Sequence, residues 1–490
     1  MAGIVSFGAY VPIHRMNRTE FHRAWAGFPI PGESAVAAYD EDTITMGVEA
    51  AIDCIRDFDR QSIDAVFLAT TTCPYKEKLG ASIIATALDL RAGIRTMDIT
   101  GTLRAGTTAL ATALDAINAG SARNVLVVAS DCRLGAPSGM LEQMLGSGAA
   151  ALLIGTDGVI AEIEGHSSLS DEFSGVWRSD DDLFVRSWED RMTLEKGYSA
   201  MLSEAISALM QKYNLQADSF DKLVIDAPTN VTKQAAVAKK LDLDPAKIQD
   251  ALFLTVGNTG AALASMMLVA ALEEASPDQT MLYASYGNGA DSFVLRTTAA
   301  LANLEPRRGI KRHIESKLML SNYETYLRWN GIIPLDAGRR PDPPPASLTA
   351  LYRYRNEILA LYGARCLNCG TPQYVNPSAL LTTGVTPIRI CAACHAKDQF
   401  EPYRFADKQA TVFTFTQDNL AAGMDPPAIT AVIDFDGGGR ALFDVTDRDP
   451  SKLDVDMRVE MTFRKMFTNN GIHNYYWKAR PIRCEDGNNG

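Results

Sequence analysis

The sequence predicts a layered α/β unit followed by a four-cysteine module and a small β-barrel. Three observations carry this. Over the first 300 residues, short apolar strand-like segments alternate with Ala/Leu-rich helical ones. Two CxxC pairs follow, and after them come short strand-like segments separated by Gly, Asp and Pro. Alternation of this kind builds α/β layers, and closely spaced short strands build barrels. A chain of 490 residues also exceeds what one core holds, since single cores stop growing near ~250–300 residues.

The first strand is IVSFGAYVP (4–12). Further β-branched, apolar segments are AVFLATTT (65–72), NVLVVAS (124–130), AALLIGTDG (150–158), KLVIDAPT (222–229) and MLYASYGNGADSFVLRT (281–297). Their continuous apolar character fits strands buried on both faces. Between them, TMGVEAAIDCI (45–55), TALATALDAINAG (108–120) and AALASMMLVAALEEA (261–275) read as helices. Charged, helix-like pieces follow from Leu301 to about Arg340. GRRPDPPPASL (338–348) is too proline-dense for a helix or central strand and reads as a linker. ASLTALYRYRNEILALYG (346–363) reads as one helix leading into the first cysteine pair. QATVFTFTQD (409–418), AITAVIDFDGG (428–438), GRALFDVTD (439–447) and VEMTFRKM (459–466) read as barrel strands. The expected division is therefore 1–300, 301–345, 346–400 and 401–490.

The formal net charge of −12 excludes a basic nucleic-acid footprint and is read as a solubility charge. No apolar run reaches the ~18–20 residues of a membrane span. The first residues lack a basic stretch followed by an apolar core, so no secretion signal is expected. The cysteines point to a cytoplasmic protein. Cys366 and Cys369, then Cys391 and Cys394, form C-x2-C-x21-C-x2-C, which is metal spacing rather than a disulfide framework. Four thiolates complete a tetrahedral site with no position left open for water. A structural Zn2+ is expected, rather than a catalytic or redox centre. Cys54, Cys73, Cys132 and Cys484 are scattered, and His395 beside Cys394 is read as a turn residue.

DITGTLRAGTTAL (98–110) resembles the nucleophile turn of thiolase-fold enzymes of the 3-hydroxy-3-methylglutaryl-CoA synthase and ketoacyl-ACP synthase III families. The resemblance covers about residues 2–300. It implies a thiolase-like fold of duplicated βαβ halves, acting on acyl-CoA. Where the family carries its cysteine, this chain has Leu103. ATTTCPYKEKLG (69–80) puts Thr71 where the catalytic glutamate stands, and FDKLVIDAPTN (220–230) puts Asp226 where the histidine stands. TVGNTGAALAS (255–265) keeps Asn258, SYGNGADSFVL (285–295) matches the glycine-rich turn at Gly287, and RMTLEKGY (191–198), with Arg191 and Tyr198, is similar to a loop shaping the acyl-CoA pocket. The region from about Ala346 to Arg483 resembles the OB-fold proteins with a rubredoxin-like zinc ribbon that accompany thiolase-type enzymes acting on CoA esters.

Leucine cannot accept an acyl group, so an acyl-cysteine intermediate is not expected. What the resemblance leaves is an enolate site. Asn258, with backbone N–H groups near Leu103 and Gly287, would stabilise a thioester oxyanion. Asp226 would act as general base, with Tyr286, Tyr75 or Tyr198 as proton donors. The competing reading is a packed ring for each tyrosine and a helix-capping turn residue for Asn258. The six histidines, His14, His22, His166, His313, His395 and His473, are read as ordinary surface or core residues. The expected activity is retro-aldol cleavage of a β-hydroxyacyl-CoA by an acyl-CoA carbon–carbon lyase. The alternatives are condensation or acyl transfer on CoA esters, with Cys73 or Cys132 as nucleophile, and a non-catalytic acyl-CoA scaffold. A homodimer is expected from the resemblance alone.

Overall fold

The computed structural model describes residues 1–227, 232–336, 347–374, 388–421 and 423–483. Cys484 and most of the proline-rich linker lie outside them. The chain forms two compact units. One comprises Met1–Ala37, Asp42–Ala85 and Leu90–Tyr326; the other comprises Ala38–Glu41, Thr86–Asp89 and Leu327–Gly490.

The first unit is built on a nine-stranded sheet. From edge to edge its strands are Lys222–Ile225, Thr280–Tyr286, Gly289–Thr297, Ala161–Ser170, Gly3–Tyr10, Ser147–Gly155, Val125–Cys132, Ala65–Ala69 and Arg95–Ile99. One arrangement occurs twice. Ala65–Ala69 runs parallel to Val125–Cys132, which pairs antiparallel with Ser147–Gly155, which pairs antiparallel with Gly3–Tyr10. Lys222–Ile225 runs parallel to Thr280–Tyr286, which pairs antiparallel with Gly289–Thr297, which pairs antiparallel with Ala161–Ser170. The helices Ala105–Asn118 and Leu263–Glu274 precede corresponding strands of the two copies. The duplication is thus visible in strand pairing although no self-similarity shows in the residues.

Small side chains let these helices sit close in one large core cluster. A Cβ on Gly106 would meet Ala261 O at 2.9 Å and Ser265 Oγ at 3.1 Å, which explains a glycine inside a helix despite its cost of ~0.5–1 kcal/mol. The helix Thr43–Cys54 is fixed at its start by a capping box: Asp42 accepts from the Ile44 and Thr45 N–H groups, and Thr45 Oγ1 accepts from the Asp42 N–H. Two local expectations are refined. The segment 281–297 is a hairpin of two strands, turning at Gly287 and Asn288, the latter at φ +48°. The helix expected over 346–363 is two short ones, Leu348–Arg353 and Arg355–Leu359, broken at Tyr354, before the strand Tyr362–Cys366 begins.

In the second unit, Tyr362–Cys366 pairs with Pro372–Gln373 and Phe400–Arg404 in a three-stranded ribbon. Five antiparallel strands follow in the order Arg440–Asp444, Ala428–Phe435, Gln409–Asp418, Arg458–Asn469 and Ile472–Pro481. A bridge between Val445 and Ala479 joins the two ends of this sheet and closes a small barrel. Phe405, Phe435, Phe443 and Tyr374 meet ring to ring in this unit. Its buried charges are compensated: Arg464 reaches Asp447 at 2.6 Å and Glu41 at 2.8 Å, and Lys478 reaches Asp40 at 2.9 Å. Burial alone would raise the Asp40 carboxyl, but Lys478 and Arg464 beside it hold it well below the usual carboxylate range.

Candidate active site

Leu103 lies in the turn between the strand Arg95–Ile99 and the helix Ala105–Asn118. The turn begins with Gly101 at φ +83°, a conformation that favours glycine. It is tied to the hairpin turn of the other half. The Thr102 hydroxyl and Arg104 Nε both donate to Gly287 O at 2.8 Å. Arg104 Nη1 reaches Asp291 Oδ1 at 2.6 Å, and the Thr107 hydroxyl donates to Asp291 Oδ2 at 2.7 Å. A Cβ on Gly287 would lie 2.6 Å from Arg104 N and 2.7 Å from Thr102 Oγ1, so only glycine allows this approach. The Gly287 N–H is itself engaged by Gly289 O at 3.0 Å. Asp98 is held in a structural role. Its carboxylate accepts from Gly80 N at 2.6 Å and Ala81 N at 2.9 Å, at the start of the helix Gly80–Ala87.

Two adjoining hollows open at this turn and share Leu103, Arg133, Val176 and Tyr286. The first, about 150 Å³, also takes in Thr71, Gly287, Trp177 and Arg178. The second, about 70 Å³, takes in Asp226, Asn258, Tyr198 and Leu145. They lie beyond the carboxyl ends of the parallel strands Ala65–Ala69 and Lys222–Ile225, where open α/β sheets place ligands.

Asp226 follows the strand Lys222–Ile225 directly. Its Oδ2 accepts from the Ser285 hydroxyl and the Tyr286 N–H, both at 3.0 Å. The residue as a whole is half-buried, but Oδ1 is sealed from solvent and has no hydrogen-bond partner among the described residues. Burial pushes the carboxyl up to about 7, against the lowering effect of those two donors. Asn258 donates from Nδ2 to Ala227 O at 3.0 Å and accepts the Gly260 N–H at 2.9 Å. It therefore shapes the turn before the helix Leu263–Glu274, and one Nδ2 hydrogen remains for another acceptor. Tyr198 donates to the backbone oxygen of Asp226 at 2.7 Å. Burial raises the Tyr198 hydroxyl well above its ordinary value, and raises that of Tyr286 to about 12. Both favour the neutral phenol. The sequence places Tyr198 in a loop; it sits instead in the π-helical turn Thr193–Ser199, which runs into the helix Ala200–Lys212. Such turns are frequent at functional sites.

Thr71 follows the strand Ala65–Ala69. Its hydroxyl donates to Asp131 Oδ2 at 2.8 Å and its N–H to Asp131 Oδ1 at 2.7 Å. Asp131 also accepts from the hydroxyls of Thr70 and Thr72 and from the Ala261 N–H. It thereby binds a strand end of one half to a helix start of the other. Arg133, two residues on, lines both hollows. Sequence reasoning misses both; the only signal is SDCR (130–133) at the end of a buried strand. Tyr75 and Arg191 line neither hollow: Lys78 lies over the Tyr75 ring, and Arg191 is exposed and paired with Glu195 at 3.2 Å. None of the six histidines lines them either. The same holds for Cys54, Cys73 and Cys132, whose thiols are all raised by burial, opposite to the lowering that activates a nucleophile.

The second unit brings Cys366, Cys369, Cys391 and Cys394 together, with all four Sγ atoms within 4.8 Å of one another. Cys366 Sγ lies 3.7 Å from Cys394 Sγ, and Cys369 Sγ 3.5 Å from Cys391 Sγ. A tetrahedron of thiolates about 2.3 Å from a central zinc has edges of ~3.8 Å, so the set fits a metal. Gly370 at φ +75° and His395 at φ +62° turn the chain after each knuckle, which gives His395 a backbone role.

Residues 403–464 match the family model "ChsH2, C-terminal OB-fold domain". The chain is 33% identical over 320 residues to the hydroxymethylglutaryl-CoA synthase of Pyrococcus furiosus, covering 64% of this chain and 90% of that protein. It is 32% identical over 338 residues to the enzyme of Thermococcus gammatolerans, covering 66% and 95%. Among solved structures it is similar to an HMG-CoA synthase complexed with CoA, with TM-score 0.60 and 18% identity over 67% of this chain and 89% of that one. It is also similar to 3-oxoacyl-[acyl-carrier-protein] synthase III from Aquifex aeolicus, with TM-score 0.55 and 20% identity over 60% and 100%. The fold of the first unit is therefore thiolase-like, and a C-terminal OB-fold domain follows it. Among the described residues no helix is long and apolar enough to cross a membrane.

Proposed function

Because the chain belongs to the hydroxymethylglutaryl-CoA synthase family, we propose that its first unit makes or breaks the bond between the α- and β-carbons of an acyl-CoA through a thioester enolate, without an acyl-cysteine. The observation that carries this is Asp226: a carboxyl tuned to about 7, with one oxygen unpaired among the described residues, at the hollow that Leu103 also lines. Family membership favours the condensing sense of the reaction. The missing thiol at the turn favours aldol chemistry over acyl transfer, and so includes cleavage as its reverse.

In the cleavage direction, the Asp226 carboxylate takes the proton of the β-hydroxyl. The β-carbon becomes a carbonyl as the α–β bond breaks, and its electron pair passes into the thioester enolate. Asn258 donates to the enolate oxygen. Protonated Asp226, or Tyr286, returns a proton to the α-carbon. Products are a shorter acyl-CoA and a ketone or aldehyde. Condensation runs the same steps backwards. The four thiolates of the second unit would hold a structural Zn2+, which supplies folding free energy and no chemical step. The assembly proposed is a homodimer, which light scattering at micromolar concentration tests.

The test supplies a β-hydroxyacyl-CoA with a tertiary or benzylic alcohol and follows the free carbonyl, then the reverse mixture of acyl-CoA and carbonyl. Asp226→Asn and Asn258→Ala should each slow turnover at least ~100-fold with the fold intact. Wild-type rates in both variants would remove the assigned site. Release of free CoA with no carbonyl product would favour thioester hydrolysis or Claisen-type condensation.

A further inference from the structure

Arg133 is a buried cation with no part in the steps above. It is 7% exposed and lines both hollows. Among the described residues its guanidinium makes no hydrogen bond or ion pair. Asp131, two residues before it, is already taken up by five donors: the hydroxyls of Thr70, Thr71 and Thr72 and the N–H groups of Thr71 and Ala261. The acids that line the second hollow, Asp226 and Asp190, do not pair with it either. A desolvated guanidinium without a partner is costly, and a bound group that accepts from it removes that cost.

Its surroundings narrow which group that is. A Cβ on Gly260 would lie 2.5 Å from Arg133 Cδ, so the arginine stem packs on the turn that Asn258 shapes through its bond from the Gly260 N–H. Arg133, Asn258 and Asp226 thus border one hollow of about 70 Å³. Guanidinium and carboxyl share this space without touching, so a group that donates to one and accepts from the other fits there. A hydroxyl does both. In the proposed reaction two oxygens gain negative charge. The enolate oxygen has the remaining Nδ2 hydrogen of Asn258. The β-oxygen, which loses its proton to Asp226, has no donor assigned.

We propose that Arg133 is a further catalytic residue, donating to the β-oxygen of the substrate while Asp226 takes that oxygen's proton. This rests on the carbon–carbon bond reading above. In cleavage, the O–H bond breaks and its proton goes to Asp226. The guanidinium steadies the charge left on oxygen. That electron pair closes the carbonyl as the α–β bonding pair passes into the enolate. In condensation the same contact polarises the acceptor carbonyl. Arg133 stays protonated throughout, so it supplies charge and no proton.

The test follows aryl aldehyde release by the full-length protein from 3-aryl-3-hydroxypropionyl-CoA esters, with para substituents running from methoxy to nitro. Arg133→Gln should lower kcat for the unsubstituted ester at least ~100-fold with KM within about threefold. Butyryl-CoA, which lacks the β-oxygen, should still bind this variant as it binds wild type in isothermal titration, which also reports that the variant is folded. The loss in kcat should shrink at least about threefold from the methoxy to the nitro ester, because a more acidic alcohol needs the cation less. Arg133→Lys should keep part of the rate, since it retains charge without the fork. A kcat for Arg133→Gln within about threefold of wild type would overturn the inference, as would a loss of the same size across the series. An equal loss of butyryl-CoA binding would also overturn it, since the guanidinium would then hold the thioester or CoA. Should Arg133→Gln not fold, Arg133→Lys decides: a steeper dependence on the aryl substituent than in wild type supports the role, and an unchanged one overturns it. Aldehyde from wild type with full activity in the variant removes Arg133 alone. No aldehyde from wild type with any ester overturns the carbon–carbon bond reading and this inference together.

Discussion

Replacing Asp226 with asparagine should stabilise the first unit at alkaline pH while stopping catalysis. The carboxyl rises from an ordinary 3.8 to about 7, because burial outweighs its bonds from Tyr286 and Ser285. A raised folded-state pKa contributes stability that is present below the unfolded value and lost as pH rises through the folded one. Wild type should therefore weaken from about pH 4 to about 7 and then level off, the full loss being at most about 4 kcal/mol. Asparagine does not ionise, and its amide oxygen can still accept from Ser285 and Tyr286. Between pH 4.5 and pH 8.5 the variant should gain about 3 kcal/mol on wild type. For a unit of roughly 300 residues that is about 5 °C in melting temperature. Thermal unfolding of both proteins at the two pH values measures it. Over the same range wild-type kcat/KM should rise with pH, with a midpoint near 7 in the free enzyme. If the two melting curves shift in parallel with pH, the buried carboxyl does not titrate where its surroundings imply, and its assignment as base loses its physical support.

Gly287→Ala should lower activity by at least ~10-fold and cost about 1–3 kcal/mol, since its methyl group would meet the backbone of the Leu103 turn; turnover with a melting curve reads both. Elemental analysis should find one zinc per chain. Cys366→Ser should lose it and destabilise the second unit, with chelation of wild type giving the same loss of barrel signal in near-ultraviolet circular dichroism. Incubation with acetyl-CoA should leave the mass of the denatured protein unchanged; an adduct on Cys73 or Cys132 would restore the acyl-cysteine alternative.

The fold is legible wherever patterning is local. Buried strands such as Val125–Cys132 announce themselves as apolar runs, and the double CxxC spacing anticipates a cluster that the fold then closes. Legibility fails where tertiary contact decides. Nothing in Tyr354 foretells a break between two helices, and the duplicated strand pairing leaves no repeated residues. In the candidate site, Asp226 is visible because FDKLVIDAPTN resembles the strand end where the synthase family carries a histidine. Arg133 and Asp131 are not, because an arginine after a strand gives no sign of whether its partners are satisfied. That depends on hydroxyls from Thr70 to Thr72 and on Ala261, all distant in sequence, which together take up Asp131. Tyr75 and Arg191 share motifs with pocket residues, yet side-chain direction carries them elsewhere.

The repeated strand arrangement brings a division of labour. Thr71 and Asp226 stand just past matching parallel strands of the two halves, and Leu103 and Asn258 stand ahead of matching helices. Each half thus offers the same two positions to a shared space, and neither encloses that space alone. One arm presents a hydroxyl and an aliphatic side chain at these positions, Thr71 and Leu103, while the other presents a carboxyl and an amide, Asp226 and Asn258. The first arm also supplies walls of both hollows and the tie to Gly287, so the shape of the shared space depends on it as much as on the second.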